Sequence, residues 1–187
     1  VFYPDYYGKN FILNDLTHEG GLTAIRIEGP SNSVDQRLER LSKELSLIAQ
    51  ELSIIDNEQS NIFWNKTKNL EVFKSLKSNL LRIVVPISET LQVIQKLKNH
   101  DIKYFIDWGG SLIWASFDQL NAKILSEIKE LLKKHHGYIT LIKIEEDLKA
   151  SADIFTIDPI KYKISEKIKR SFDPKRIFNP GKMYTGI

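Results

Sequence analysis

The chain has 187 residues, 42% apolar and 10% aromatic, which suits one medium domain with a real core, or a domain with a small attachment. Lysine and arginine together number 27 against 24 aspartates and glutamates, and the lysines are interleaved with glutamates, which argues against the basic stripe of a nucleic-acid binder. The absence of cysteine excludes disulfides, thiol nucleophiles and cysteine-ligated iron–sulfur or zinc sites within the chain, and no apolar run reaches the roughly 18 residues of a bilayer span.

Residues 1–21, VFYPDYYGKNFILNDLTHEGG, mix aromatics with Pro4 and Gly8 and read as an irregular leader or a piece of a preceding domain. LTAIRIEG (22–29) alternates as a strand would, with Ile25 and Ile27 on one face. Ser31 or Ser33 caps a helix to about residue 49, where Val34, Leu38, Leu41, Leu45 and Ile48 form one buried stripe. SIID (53–56) is a short strand candidate, and 58–69 a helix anchored by Ile62, Phe63 and Trp64.

LLRIVVP (80–86) is a strand stopped by Pro86. Ser88 and Glu89 open a helix whose inward residues are Leu91, Ile94 and Leu97. IKYFIDW (102–108) and SLIWASF (111–117) are strands joined by Gly109-Gly110 as a two-residue hairpin turn. A helix over 118–136 aligns Leu120, Ile124, Ile128 and Leu131, and Gly137 supplies its left-handed cap. YITLIKI (138–144) is the next strand. The order β-α-β-β-α-β predicts an α+β fold, a ferredoxin-like antiparallel sheet with helices on one face. The opening strand, helix and strand read as half of a second, related unit. After the polar stretch 145–155, Asp158-Pro159 starts a helix whose inner face is Ile160, Ile164, Ile168 and Phe172.

The four histidines (His18, His100, His135, His136) make no HExxH or spaced ligand pair, and His135 and His136 suit the surface of a helix C-terminus. The scattered glycines form no phosphate loop, and GxSxG is absent. Two segments stand out. DWGGSLIW (107–114) puts Asp107 and Trp108 at a hairpin tip, where an indole and bare glycine backbone admit a flat ligand or simply make a packed turn. FDPKRIFNPGKMY (172–184) either locks the C-terminus through Phe172 and Phe178 or presents the Asn179 amide, held by Pro180-Gly181, to a carbonyl or ring nitrogen. Arg82 and Lys182 are cations that would attract a carboxylate, although plain surface is their commoner use.

An amphipathic helix running into FDP and then IFNPGKMY resembles the ending of FAD-linked oxidases of the vanillyl-alcohol oxidase and glycolate oxidase type. DWGGSLIW, with FW at 63–64, LLRIVVP at 80–86 and HHGYITLIK at 135–143, is similar in order and spacing to the E subunit of glycolate oxidase, from about residue 22 onward. The resemblance implies that 22–187 is the C-terminal cap domain and 1–21 a leader or remnant of a preceding FAD-binding domain. The start at Val1 in place of Met fits a fragment. It implies FAD, held mainly by an N-terminal domain, with Asn179, Pro180 and Gly181 near the flavin and Asp107, Trp108, Gly109 and Gly110 near its ring or a subunit interface. It further implies 2-hydroxy acid oxidation in the cytoplasm or at the membrane periphery, beside a catalytic D-like subunit and an iron–sulfur subunit. One departure is plain: the HxGDGNxH-type metal motif of the D subunit is absent. The competing expectation is a non-catalytic ferredoxin-like module for ligand binding or subunit interaction.

Overall fold

A computed structural model of the chain describes residues 1–4, 20–74, 79–149, 153–156, 158–181 and 184. Most of the leader, with His18, lies outside them, as do Lys182 and Met183. The chain forms two compact units, Phe2–Ser75 and Leu76–Ile187, the latter taking in Val1.

In the first unit, β1 (Phe2–Tyr3) pairs antiparallel with β2 (Leu22–Thr23). The strand expected over 22–29 ends after two residues, and Ile25 is exposed. Helix α1 (Ser31–Leu45) buries no residue: Val34, Leu38, Leu41 and Leu45 are only half-buried, and Ile48 lies beyond it in solvent. SIID forms no strand, because Asp56 is instead the N-cap of α2 (Asn57–Lys68), accepting a 2.8 Å hydrogen bond from the Gln59 amide. Phe63 anchors α2 against Tyr3, edge to face at 6.2 Å, while Ile62 faces outward. The Tyr3 hydroxyl finds its buried partner in Thr67, at 2.9 Å.

The second unit holds β3 (Asn79–Val84), α3 (Thr90–Leu97), β4 (Ile102–Asp107), β5 (Leu112–Phe117), α4 (Ala122–Lys134), β6 (Tyr138–Lys143), α5 (Glu146–Lys149) and α6 (Pro159–Phe172). Its strands run β4-β5-β3-β6, all neighbours antiparallel, which is the ferredoxin-like order with the first strand inside. Period-two alternation sends Leu81, Ile83, Ile102, Tyr104, Ile113, Ala115, Phe117, Ile139 and Leu141 to one face. There they meet Val93, Ile94 and Leu97 of α3 and Leu125, Ile128 and Leu132 of α4. Each fully buried large apolar side chain contributes about 1.5–3 kcal/mol, so this face dominates the stability of the unit.

Leu91 departs from the expected inward set: α3 opens as a tight turn at Ile87–Glu89, so its phase places Thr90, Val93, Ile94 and Leu97 inside and Leu91 in solvent. Leu120 is buried just ahead of α4, whose N-cap Asn121 accepts from the Ile124 amide at 2.9 Å. At the other end, His136 takes the left-handed conformation (φ 54°). The amides of His136 and Gly137 close onto the Lys133 and Leu132 carbonyls as a paired C-terminal cap. Gly137 is needed for closeness instead, since a Cβ there would lie 2.5 Å from Val85 Cγ1.

Candidate functional site

The turn between β4 and β5 is longer than a two-residue hairpin. Asp107 faces Leu112 in the ladder, leaving residues 108–111 as the loop. Three successive residues have positive φ: Trp108 (51°), Gly109 (62°) and Gly110 (116°). Glycine takes such angles freely, whereas a tryptophan there is strained and needs bracing. The Asp107 carboxylate accepts from the Trp108 amide at 2.7 Å, and the Ser111 hydroxyl donates to the Trp108 carbonyl at 3.2 Å. Thr90, at the start of α3, donates to the Gly110 carbonyl, and the Val85 amide to the Ser111 carbonyl at 3.0 Å. The indole that results is 57% exposed, with the Arg82 guanidinium 4.8 Å from its ring centre.

Arg82 stands on β3, opposite Trp114 of β5 and Thr140 of β6. The next row pairs Val84 with Tyr138. All five side chains lie on the sheet face away from α3 and α4, and each keeps part of its surface in water.

Near the loop, His135 Nδ1 meets Glu89 Oε2 at 2.6 Å. This hydrogen bond holds the Glu89 carboxyl below its ordinary range. His135 is buried, so only His136 fits the expected surface position.

The C-terminal segment is organised by Asp173. Asp158 caps α6, accepting from the Ile160 and Lys161 amides. At the far end Asp173, itself buried, accepts from the Ile177 and Phe178 amides at 2.9 Å each and from Lys169 at 2.8 Å. Lys169 also donates to the Phe178 carbonyl. Lys169 first, then the two amides, depress the Asp173 carboxyl to about 2. This clamp folds the segment back, and Asn179 follows in a left-handed conformation (φ 47°) that asparagine tolerates, with Gly181 likewise at φ 69°. Residues 154–156 add to the outer edge of β6, and Tyr184 packs against Phe155 and Tyr162 there.

The expected lock through Phe172 and Phe178 is not what holds the terminus, since they are 84% and 67% exposed. The expected inner stripe of α6 is also outward: Ile160, Ile164 and Ile168 are all more than half exposed. Asp107–Gly110 are tied to β3 and α3, and Asn179–Gly181 follow the clamp on α6. Among the described residues, no hydrogen bond, ion pair or ring contact joins the two groups. The Asp173 clamp, the Arg82–Trp108 contact and the Glu89–His135 pair were not read from the sequence. Only the clamp left a signal, an aspartate before a proline at a helix end.

Residues 155–183 match the family model of FAD linked oxidases, C-terminal domain. The matched stretch runs from the edge bridge of β6 through α6 and the Asp173 clamp to the Asn179 turn. The chain is also 26% identical over 166 residues to glycolate oxidase subunit GlcE of Escherichia coli (strain K12). That alignment takes in 87% of this chain and 39% of the relative, so the chain spans well under half of the curated relative's length. Together the matches support a C-terminal FAD-linked oxidase domain within the FAD oxidoreductases.

Proposed function

We propose that the chain is the cap portion of an FAD-dependent oxidoreductase, a subunit of the glycolate oxidase E type that takes part in oxidising a 2-hydroxy acid. The observation that carries this reading is the state of the matched C-terminal stretch. Asp173 organises its turn through Lys169 and the Ile177 and Phe178 amides, yet Ile160, Ile164, Ile168, Phe172, Ile177 and Phe178 stay in solvent. An ordered apolar surface of this kind suits a partner, and an N-terminal FAD-binding domain accords with the greater length of the relative.

FAD fits these residues unequally. A flat isoalloxazine suits the exposed Trp108 indole and the open backbone at Gly109. The pyrophosphate calls for a cradle of backbone amides, and the sequence has no glycine-rich phosphate loop. The cofactor is therefore held mainly by the FAD-binding domain. Asp107, Trp108, Gly109 and Gly110 face its ring or a subunit interface, and Asn179, Pro180 and Gly181 approach it from α6. When bound, FAD supplies the hydride acceptor, and protein groups supply placement and electrostatics. In this reading the likeness to the E subunit assigns the chain two partners, a catalytic D-like subunit and an iron–sulfur subunit. Among the described residues no helix is long and apolar enough to cross a membrane, which is compatible with a cytoplasmic or peripheral location.

The test is flavin absorbance of the full-length protein purified with its partners. Flavin is expected in the complex, and Asn179→Ala is expected to weaken flavin retention more than it weakens folding, the alanine itself adding some left-handed strain at φ 47°. A colourless complex overturns the reading. Equal losses of flavin and stability in the variant reduce Asn179 to a structural role. The isolated chain is expected to bind FAD only weakly, and nanomolar binding in calorimetry would contradict the division of labour.

A further inference from the structure

The chain has six arginines: Arg26, Arg37, Arg40, Arg82, Arg170 and Arg176. Five of them find an acceptor or a carboxylate in the chain. Arg82 is the exception. Among the described residues no hydrogen bond reaches its guanidinium and no carboxylate lies within salt-bridge distance. It is nonetheless half-buried, on a strand with neighbours on both sides. A half-buried guanidinium loses hydration that no described residue returns with an acceptor.

Its surroundings are built rather than incidental. The strained Trp108 turn, braced by Asp107, Ser111 and Thr90, sets the indole against the guanidinium. The indole lies 4.8 Å from the guanidinium carbon, and a cation–π contact of this kind does not use the N–H groups, which are what receive carboxylates in a two-point fork. Beside Arg82 on the same sheet face stand Trp114, Val84, Thr140 and Tyr138. One cation therefore shares a sheet face with Trp108, Trp114, Val84 and Tyr138, a largely aromatic set.

We propose that this face binds a small aromatic carboxylate, its carboxylate on the Arg82 fork and its ring among Trp114, Val84 and Tyr138. The site does not depend on the flavin and is assayed in this chain as it stands.

The probe is benzoate, with benzamide as its neutral counterpart and inorganic phosphate as a non-aromatic anion. Tryptophan fluorescence is followed in a Trp64→Phe background, so that the signal comes from Trp108 and Trp114. Saturable quenching by benzoate is expected, with benzamide and phosphate each weaker by roughly tenfold or more, the worth of one charge-assisted pair. Arg82→Gln is expected to lose a similar factor. Arg82→Lys, which keeps the charge without the fork, falls between. Circular dichroism checks that each variant folds. Should Arg82→Gln not fold, the Arg82→Lys titration decides, and wild-type affinity there overturns the fork. No saturable benzoate binding overturns the site, as does equal binding of benzamide. Phosphate binding as tightly as benzoate overturns the aromatic class.

Discussion

The turn after α4 offers a clean test of why a glycine is where it is. Gly137 follows a helix, so a left-handed cap is the ordinary explanation, yet the left-handed residue is His136. A Cβ on Gly137 would lie 2.5 Å from Val85 Cγ1, 3.0 Å from the Val84 carbonyl oxygen and 3.1 Å from Leu132 Cδ2. Two of these are hard to move: Val84 is held in the ladder from both sides, and Val85 is β-branched and 2% exposed. Overpacking costs about 1–3 kcal/mol, and the restricted unfolded chain returns about 0.4–1 kcal/mol. Gly137→Ala should therefore destabilise by about 1–2 kcal/mol, and Gly137→Asn by more because its side chain is larger. A left-handed glycine would give the opposite order, since asparagine tolerates that region better than alanine. His136→Gly should be neutral or stabilising by up to about 1 kcal/mol, because relief of left-handed strain slightly exceeds the extra freedom of glycine in the unfolded chain. Urea unfolding, followed through Trp108 and Trp114 in a Trp64→Phe background, reports on this unit. An asparagine variant more stable than the alanine variant would refute the close-contact reasoning.

Two further outcomes follow from the C-terminal segment. The Asp173 carboxyl is depressed from 3.8 to about 2, so its stabilising contribution is complete above the unfolded value and is lost as pH falls from about 4 toward 2. Protection of the Ile177 and Phe178 amides, taken relative to their intrinsic exchange rate at each pH, should fall over that window in the wild type, and Asp173→Asn should abolish this change in protection. An unchanged profile in the variant would show that another group holds the loop. The double substitution Ile164→Glu and Ile168→Glu, at positions 53% and 54% exposed, should change the stability of the isolated chain by no more than about 0.5 kcal/mol. It should also prevent assembly with the FAD-binding domain, measured by co-purification, and wild-type assembly would remove α6 from the interface.

The ferredoxin-like order was legible because its signals are local and agree with one another. LLRIVVP, IKYFIDW, SLIWASF and YITLIKI each alternate or run apolar between clear stops, and the helices between them carry one apolar face. The errors have physical causes. LTAIRIEG has the alternation of a strand, but alternation cannot supply a ladder partner, and only Leu22–Thr23 has one. SIID contains strand-forming isoleucines, but Asp56 caps α2 and ends the extended run. Gly109-Gly110 looks like a complete turn until Trp108 joins the positive-φ run. That conformation is unfavourable for tryptophan, and only Asp107, Ser111 and Thr90 make it tenable.

The candidate site shows a deeper limit. Periodicity reports that a face is apolar and leaves open what covers it. Ile160, Ile164, Ile168 and Phe172 have the spacing of a core helix, and so do Ile128 and Leu132 of α4, yet the first set is in water and the second is buried. The two helices differ in their polar anchoring. α4 is set onto the sheet through Leu125, Ile128 and Leu132. α6 is instead fixed by electrostatics at its end, where Lys169 and Asp173 hold the returning chain. Such a clamp sets the shape of the segment without burying its apolar side chains, so the surface is formed before any partner meets it. A preformed surface loses less conformational freedom on docking than one ordered on contact. The FDP…NPG pattern is thus explained by its polar atoms, which build the turn, and its hydrophobic residues are left for whatever the turn presents them to.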